Sequence, residues 1–288
     1  MRGVIIAITV LAIGVGSMLA AGEYLDPDCS VSFGFRISGG KDAEINKYPW
    51  MAFIHSSTKL ICGGSLITNR FVLTAAHCVG NGMAVKVRLG EYNASSILDC
   101  DDKICNLKTE EYNIDMAFRH GKYSLRGHVN DIALLRLERA VKYKIHIRPV
   151  CIILDNHLRA KIDRLQWFIA TGWGETNTNK TIDVLQVVRL HRYDPQRCVN
   201  NLRNFIHKSQ ICAGSNGGDT CGGDSGGPLV RSVHHKGKVV SVQLGVVSYG
   251  SRDCDGLGVY TDVYSYIDWI EKIVRLNTNV TAPKWPNK

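Results

Sequence analysis

The chain has 288 residues, of which 45% are hydrophobic and 21% are charged. This is the composition of an ordinary globular protein, and it excludes a disordered, collagen-like or low-complexity chain. Lys and Arg number 35 against 26 Asp and Glu, so the net charge is +9. Because no nucleic-acid-binding motif accompanies this charge, we expect it to serve solubility or attraction to anionic surfaces, with no nucleic acid as a partner.

The first 22 residues have the features of a secretory signal peptide. Arg2 supplies a positive start, residues 3–22 are uncharged and mostly apolar, and small residues at 20–22 offer a cleavage site. A transmembrane anchor is the alternative, but Gly14 and Gly16 interrupt the apolar run and no basic cluster follows it. The sequence therefore predicts a secreted, extracellular protein with no membrane attachment after signal removal.

Ten cysteines and three glycosylation sequons fit a secreted protein. An even number of cysteines in an oxidising compartment predicts a disulfide framework, although the sequence alone does not determine which cysteines pair. The N-x-S/T sequons begin at Asn93, Asn179 and Asn279. Whether these sequons carry glycans stays open at this level.

Downstream of Ile37 the chain consists of short β-rich runs separated by Gly, Asn and Asp. The runs are residues 51–54, 70–73, 85–89, 132–135, 167–170, 184–188 and 239–247. Short strands at regular spacing favour an all-β barrel or sandwich. Near the C-terminus, Tyr266, Ile267, Ile270, Ile273 and Val274 recur at helical spacing, which predicts an amphipathic helix packed on the sheets. The tail, residues 277–288, shows no pattern and is predicted to be disordered.

Three local motifs contain candidate catalytic residues. Residues 74–78 place His77 beside a cysteine, residues 130–135 place Asp131 before an apolar strand, and residues 222–228 place Ser225 in a glycine-rich turn. Taken singly, each motif also has a structural interpretation: a core histidine, a capping aspartate and a tight turn. Together they follow the chain order His, Asp, Ser of chymotrypsin-type proteases, which differs from the orders of subtilisins and α/β-hydrolases.

On these motifs, the chain from about Ile37 to Leu276 resembles the trypsin-like serine proteases of the chymotrypsin fold, in their secreted invertebrate form without a clip domain. The resemblance implies an all-β fold: two packed six-stranded antiparallel β-barrels with a C-terminal α-helix, and an active site in the cleft between the barrels. It also implies a serine endopeptidase, a hydrolase. The expected organisation is a signal peptide at 1–22, a pro-segment at 23–36, a peptidase domain at 37–276 and a tail at 277–288.

The resemblance also assigns roles in catalysis. Ser225 is the expected nucleophile, and a hydroxyl needs a neighbouring base because it is weakly nucleophilic at neutral pH. His77 is the expected base, and Asp131 would hold its tautomer and stabilise the imidazolium. The N–H groups of Gly223 and Ser225 are expected to form the oxyanion hole.

Specificity is expected to depend on Asp219, six residues before Ser225. By resemblance this position is the base of the pocket for the substrate residue that precedes the cut. A carboxylate removed from water prefers a cationic partner, so the sequence predicts cleavage after Arg or Lys. The substrate-binding segment and pocket walls are expected at Ser248, Tyr249, Gly250 and Gly258.

The resemblance further implies a zymogen. Cleavage after Arg36 would create a new α-amino group on Ile37, which would pair with Asp224 and order the pocket. An arginine at this site requires a trypsin-like activating protease or the enzyme itself. The resemblance implies disulfides that tether the pro-segment and stabilise the loops around the site. They are Cys29–Cys151, Cys62–Cys78, Cys198–Cys212 and Cys221–Cys254. Cys100 and Cys105 then remain to pair with each other.

We expect that catalysis requires no cofactor. A structural calcium ion is a separate hypothesis. Glu91 and Asn93 match positions where trypsins offer oxygen ligands, and Glu110 or Glu111 would close the loop. The alternative is an ordinary solvated acidic loop. Residues 234–236, His-His-Lys, are predicted to form an exposed hairpin tip rather than a metal site.

Two biological roles and one different class of function remain open. A short pro-segment fits digestion, whereas its tether and the loop between Cys100 and Cys105 favour limited proteolysis in an extracellular cascade of immunity or development. The expected partners are protein substrates with Arg or Lys at the cut, an upstream activating protease and serpin-type inhibitors, and the protein is expected to be a monomer. The alternative is a catalytically silent homologue that acts as a regulatory binding module, which the intact set of His77, Asp131 and Ser225 disfavours.

Overall fold

The computed structural model describes residues 23–29, 41–56, 59–80, 85–100, 105, 108–174, 183–215, 224–235, 237–251 and 256–279. Thirteen strands dominate this part of the chain. They are β1 (Lys41–Asp42), β2 (Met51–Ser56), β3 (Lys59–Leu66), β4 (Phe71–Thr74), β5 (Lys86–Leu89), β6 (Glu110–Arg119), β7 (Ala133–Leu137), β8 (Trp167–Gly172), β9 (Gln186–Arg192), β10 (Gln210–Gly214), β11 (Pro228–His235), β12 (Lys238–Gly250) and β13 (Gly258–Asp262).

Helices are short and connect or follow the strands. The α-helices are α1 (Arg159–Asp163), α2 (Pro195–Leu202) and α3 (Ile267–Asn277), and the 3-10 helices span Ala76–Cys78, Arg126–His128, Asn156–Leu158 and Val263–Tyr266. Among the described residues, no helix has both the length and the apolar character that crossing a membrane requires.

The strands close into two antiparallel barrels. The first barrel has the order β2-β3-β4-β7-β6-β5. In the second, the order β9-β10-β13-β12-β11-β8 closes through the β8–β9 pairing, and the two-residue strand β1 adds to the outside of β9. Strands such as β4 and β10 are buried along their whole length because both faces meet core side chains. The prediction of two six-stranded barrels is confirmed.

The amphipathic helix at the C-terminus is α3. Ile267, Ile270 and Val274 are its buried residues. The helix runs one residue further than predicted, since Asn277 is helical and Thr278 still donates its backbone N–H to the Val274 carbonyl at 3.0 Å. The expected tail starts at residue 277, and because residues 280–288 lie outside the described residues, its disorder stays a prediction.

Four of the five expected disulfides are present in the structure. They are Cys29–Cys151, Cys62–Cys78, Cys100–Cys105 and Cys198–Cys212. The fifth expected pair, Cys221–Cys254, lies outside the described residues, as do the predicted signal peptide, Arg36, Ile37 and the sequon at Asn179.

The start of the predicted pro-segment lies on the second barrel. Leu25 donates its N–H to the Ile152 carbonyl at 3.0 Å, and the Glu23 carbonyl accepts from Leu154 at 3.1 Å. The Glu23 carboxylate also lies 2.7 Å from Nε2 of His235. His235 is only 6% exposed, so the prediction that it belongs to an exposed hairpin tip is wrong, whereas its neighbour His234 is exposed.

A buried ion pair ties the first barrel to the C-terminal helix. Arg136 on β7 is fully buried, and its guanidinium donates to both carboxylate oxygens of Asp115 on β6, at 2.7 and 3.0 Å. The same guanidinium donates to the Asn277 carbonyl at the end of α3, at 2.9 Å. Removing one member of such a pair leaves a buried charge without its partner.

We expect Arg136→Met to destabilise the fold by more than about 1 kcal/mol but by less than the about 3–5 kcal/mol of a fully uncompensated buried charge, because Asp115 keeps a 3.4 Å contact with Arg70. Urea unfolding of the purified protein measures this difference. The matched control is Arg275→Ala, which removes an ion pair between exposed helix positions and should cost less than about 1 kcal/mol. Equal midpoints for the two variants would contradict the structural role of the buried pair.

Candidate active site

His77 lies in the 3-10 turn Ala76–Cys78, directly after β4. The turn is closed by the Cys78 N–H bond to the Ala75 carbonyl at 3.2 Å, and the disulfide from Cys78 to Cys62 fastens it to β3. The buried strand and the disulfide together position the imidazole at the edge of the first barrel. Its side chain remains 23% exposed, so a substrate can reach it.

Asp131 precedes β7 and is fully buried. Its Oδ2 lies 2.8 Å from Nδ1 of His77 and accepts a hydrogen bond from Oγ of Ser248 at 2.5 Å, while its Oδ1 accepts from the His77 backbone N–H at 2.9 Å. Three hydrogen bonds offset the cost of burying a carboxylate. Because an ionised carboxylate only accepts, the imidazole proton sits on Nδ1 and the lone pair on Nε2.

Ser225 lies in the turn that leads into β11. Its carbonyl accepts the N–H of Gly63 on β3 at 2.8 Å, and the N–H of Gly226 bonds to the Val247 carbonyl at 2.9 Å. Gly226 has a φ of 81°, and a Cβ there would lie 2.1 Å from Oγ1 of Thr74, at the end of β4. Only glycine fits this close approach, which brings the serine turn against the strand that leads to His77.

The structure thus joins His77 and Asp131 directly and places Ser225 in a turn packed on β4. Within the described residues, the Ser225 hydroxyl makes no hydrogen bond to the His77 ring. In enzymes of this kind such a bond is often long without substrate and tightens when the complex forms. Gly223, the other expected oxyanion donor, lies outside the described residues.

Asp224, the expected partner of the Ile37 amino group, faces the end of β8. Its Oδ1 accepts the N–H of Gly174 at 2.9 Å. A Cβ at Gly174 would lie 2.4 Å from the Asp224 carboxyl carbon, so only glycine leaves room for the carboxylate. Because Ile37 lies outside the described residues, the pairing stays a prediction.

The expected substrate-binding segment forms the end of β12. Ser248 is buried and its hydroxyl is committed to Asp131. The pairing of β12 with β13 shifts register between Val247 and Tyr249 and ends with Gly250 opposite Gly258, so the segment leaves the sheet at this edge. Asp219, the expected pocket base, lies outside the described residues.

Sequence reasoning missed His128, which lies on the same side of the site. Its ring centroid is 5.9 Å from that of His77, and its Nδ1 is 3.8 Å from Oδ2 of Asp131. The Tyr249 ring lies against it at 5.1 Å with an interplanar angle of 33°. Burial lowers the pKa of His128; Asp131 opposes this shift, and His77 adds to it. The one available signal was its position three residues before Asp131.

The loop that carries His128 has an unusual backbone. Gly127, His128 and Asn130 have φ values of 72°, 48° and 59°, in the left-handed region. Two non-glycine residues in this region cost on the order of 1–2 kcal/mol each, which surrounding contacts must offset. The buried amide of Gln210 offsets part of this conformational cost, because it donates hydrogen bonds to the carbonyls of Gly127 at 3.0 Å and His128 at 3.3 Å.

Three of the side chains expected to be calcium ligands have other partners in the structure. Glu110 accepts from the Tyr112 hydroxyl at 2.5 Å and forms an ion pair with Lys144, while Glu111 lies 2.8 Å from Nζ of Lys86. The Asn93 side-chain carbonyl accepts from the backbone and hydroxyl of Ser95, at 3.1 and 2.8 Å.

The carboxylate beside Glu91 is instead that of Asp99. Both are buried, and both accept the Tyr92 N–H, at 3.0 Å for Glu91 and 3.3 Å for Asp99. Burial raises the pKa of each carboxyl, and the hydrogen bond from Arg88 opposes that rise at Glu91. Oδ1 of Asp99 is buried without a hydrogen-bond partner. Sequence reasoning missed Asp99 because the loop path decides which acid meets Glu91.

Comparisons with known proteins agree with this geometry. The family model described as Trypsin matches residues 37–270. The CLIP domain-containing serine protease B9 of Anopheles gambiae is 37% identical over 270 residues, a match that covers 86% of this chain and 65% of the relative. The serine protease grass of Drosophila melanogaster is 34% identical over 269 residues, covering 87% of this chain and 71% of the relative.

A crystal structure of the Drosophila Grass clip serine protease of the Toll pathway superposes with a TM-score of 0.77 at 31% identity, covering 87% of this chain and 75% of that one. The chain spans about two thirds of the length of the first of these relatives. The family match covers most of the chain and includes His77, Asp131 and Ser225. The chain belongs to the trypsin family of serine proteases.

Proposed function

We propose that the protein is a secreted serine endopeptidase that is made as a zymogen, is activated by cleavage after Arg36 and hydrolyses peptide bonds after Arg or Lys. The observation that carries the proposal is the bond between Nδ1 of His77 and the buried carboxylate of Asp131, at 2.8 Å. This bond directs the imidazole lone pair at Nε2 toward the substrate side of the cleft, where a base for Ser225 is needed.

In the proposed reaction, the Ser225 hydroxyl attacks the carbonyl carbon of the substrate while Nε2 of His77 accepts its proton. The imidazolium that forms is stabilised by Asp131, which keeps its negative charge because three hydrogen bonds already satisfy it. The proton then passes to the leaving amine. Water attacks the acyl-enzyme in the second half of the reaction, with His77 again as the base.

Activation follows from the position of Asp224, next to the nucleophile. The carboxylate receives the Gly174 N–H at 2.9 Å and lies between the serine turn and the end of β8. An α-amino group created on Ile37 would bring a positive charge to this carboxylate. Because Gly223 and Ser225 flank Asp224, fixing this residue would also fix the donors of the oxyanion hole.

The proposed specificity rests on Asp219. A carboxylate at the base of a pocket leaves an unpaired charge when a neutral side chain enters, and this penalty selects Arg and Lys. The proposed role is limited proteolysis in an extracellular cascade. Relatives named Melanization protease 1 of Drosophila melanogaster, 38% identical, and Phenoloxidase-activating enzyme 1 of Spodoptera litura, 35% identical, support this role over digestion. An upstream activating protease and serpin-type inhibitors are the partners this role requires.

The activity is tested by cleaving the purified zymogen after Arg36 and measuring hydrolysis of arginyl and lysyl amide substrates. We expect Ser225→Ala to lower kcat by on the order of 10⁶-fold, since the nucleophile is removed while the fold stays intact. Ser265→Ala, at an exposed position in the Val263–Tyr266 turn, is the matched control and should keep full activity. Failure of the cleaved wild-type chain to hydrolyse either substrate would favour the silent regulatory module.

The specificity is tested separately with Asp219→Ser, assayed against a peptide library that varies the residue before the cut. We expect the preference for Arg and Lys over neutral residues to fall by at least about tenfold, because the neutral pocket no longer penalises an uncharged side chain. The same library reports the role, since dependence on several flanking residues indicates a dedicated protein substrate. An unchanged profile would remove Asp219 from the pocket.

We also propose a structural calcium ion in the loop from Glu91 to Asp99. The fit is carried by two buried carboxylates and by the unpartnered Oδ1 of Asp99, since Ca²⁺ prefers several hard oxygen ligands. Glu110 is not among the proposed ligands because Lys144 and Tyr112 occupy its carboxylate. Glu91 already pairs with Arg88 at 3.0 Å, so the ion, when bound, would chiefly compensate the carboxylate of Asp99.

We expect calcium to raise the melting temperature of the wild-type protein by several degrees, because a ligand at about 100 times its Kd stabilises a fold by about 2.7 kcal/mol. Asp99→Asn should abolish this rise, whereas Asp163→Asn, at an exposed position on α1, should keep it. Differential scanning calorimetry with calcium and with a chelator provides the measurement. A calcium-dependent shift of the same size in Asp99→Asn would overturn this assignment.

A further inference from the structure

A second histidine shares the carboxylate that orients the proposed base. Nδ1 of His77 lies 2.8 Å from Oδ2 of Asp131, and Nδ1 of His128 lies 3.8 Å from the same oxygen. The two rings are nearly perpendicular, at 86°. One nitrogen from each ring and one oxygen of the carboxylate all lie within 4.8 Å of one another, close enough for three ligand atoms to reach one ion.

Contacts with neighbouring residues hold His128 in position. Its backbone lies in the left-handed region with a φ of 48°, and the buried amide of Gln210 holds its carbonyl at 3.3 Å. The Tyr249 ring lies 5.1 Å from the imidazole and supports its face, while Asn204 donates to the Tyr249 hydroxyl at 3.3 Å. These contacts fix the direction of the imidazole toward Asp131.

The ring nitrogens of His128 are weakly engaged. Among the residues the structure describes, the one hydrogen-bond contact of this ring joins Nδ1 and the Tyr123 hydroxyl, at the long distance of 3.4 Å. The side chains of His77 and His128 are 23% and 30% exposed, whereas Asp131 is fully buried beneath them. An ion arriving from solvent would therefore meet the two rings first and the carboxylate behind them.

Two imidazoles and one carboxylate are the donor set of a tetrahedral transition-metal site with an open fourth position. With bond lengths of about 2.0–2.2 Å, the ligand atoms of tetrahedral Zn²⁺ lie about 3.3 Å apart. The two nitrogen-to-oxygen distances at Asp131, 2.8 and 3.8 Å, lie on either side of that value. Changes of about half an ångström would bring both nitrogen-to-oxygen distances to that value. The two ring nitrogens, which lie within 4.8 Å of each other, would also have to reach this separation, with water as the fourth ligand.

We propose that His77, His128 and Asp131 form an inhibitory binding site for a divalent transition metal of the Zn²⁺ class. The inhibition rests on the proposed protease function, but the binding does not. If Nδ1 of His77 takes the metal, its proton leaves to water and a proton is taken up at Nε2, so the ring stays neutral and Nε2 loses its lone pair. If Nε2 takes the metal, that lone pair is consumed directly. In both cases Ser225 loses its base.

Binding is tested without catalysis in the Ser225→Ala protein, titrated calorimetrically with zinc chloride. We expect one Zn²⁺ per chain, and an affinity at least about tenfold weaker when His128→Asn is added, because one ligand is lost. Asparagine is chosen because it tolerates the left-handed backbone at this position. His157→Asn, at an exposed histidine on the Asn156–Leu158 turn, is the control and should bind Zn²⁺ as tightly as the parent.

Inhibition is tested with chains cleaved after Arg36, each compared with its own metal-free rate. We expect the zinc concentration for half-inhibition to rise at least about tenfold in His128→Asn and to stay unchanged in His157→Asn. Equal zinc affinity with and without His128 would overturn the site, and so would zinc bound through His128 that leaves hydrolysis unaffected. If no cleaved chain hydrolyses any peptide, the protease proposal fails, while the calorimetric comparison still decides whether the metal site exists.

Discussion

The buried carboxylate of Asp131 joins the two barrels at one point. From the first barrel it receives the backbone and ring of His77, and from the second barrel it receives the Ser248 hydroxyl at the end of β12. Its own backbone carbonyl accepts the Thr261 hydroxyl on β13 at 2.8 Å. Because a buried charge that loses its partners costs several kcal/mol, these donors favour the observed contact between the two barrels. The cleft and its chemistry therefore depend on the same contacts.

The serine turn uses a second set of contacts across the same boundary. Ser225 leads into β11 of the second barrel, yet its carbonyl is held by Gly63 of the first barrel at 2.8 Å. Gly226 approaches Thr74 too closely for any side chain to fit between them. Backbone contacts set the position of the nucleophile and a carboxylate sets the direction of the base. His128 and Tyr249 pack on each other beside this carboxylate.

Much of this arrangement is predictable from local sequence because the residues that carry it lie in compact motifs. His77, Asp131 and Ser225 each have a distinctive neighbourhood, and their order identifies the family. Apolar strands such as β4 and β12 can also be recognised in the sequence as runs of hydrophobic residues. Strand β6 was missed although Tyr112, Ile114, Met116 and Phe118 alternate with polar or small residues, a pattern typical of a half-buried strand, because it is not a continuous apolar run. Its place in the barrel comes from pairing with β5 and β7.

The features that sequence reasoning missed all depend on partners far along the chain. His235 is buried because Glu23, in the pro-segment, reaches it, and no local pattern shows that contact. Asp99 and Glu91 share the Tyr92 N–H, whereas Glu110 pairs with Lys144, which is distant in sequence. His128 is directed at Asp131 by a left-handed loop that is held by Gln210. Charge pairing and loop path decide these positions, and neither is encoded in residue spacing.

The most direct measurement of the central claim is the rate at which Ser225 is acylated in Asp131→Asn. This variant keeps the shape of the side chain but presents a neutral amide to His77, so the imidazole lone pair is no longer directed at the nucleophile. Pre-steady-state kinetics with an arginyl ester should show acylation slowed by on the order of 10⁴-fold, the size given by the triad template of this family. An acylation rate within tenfold of the wild-type rate would show that the carboxylate does not orient the base.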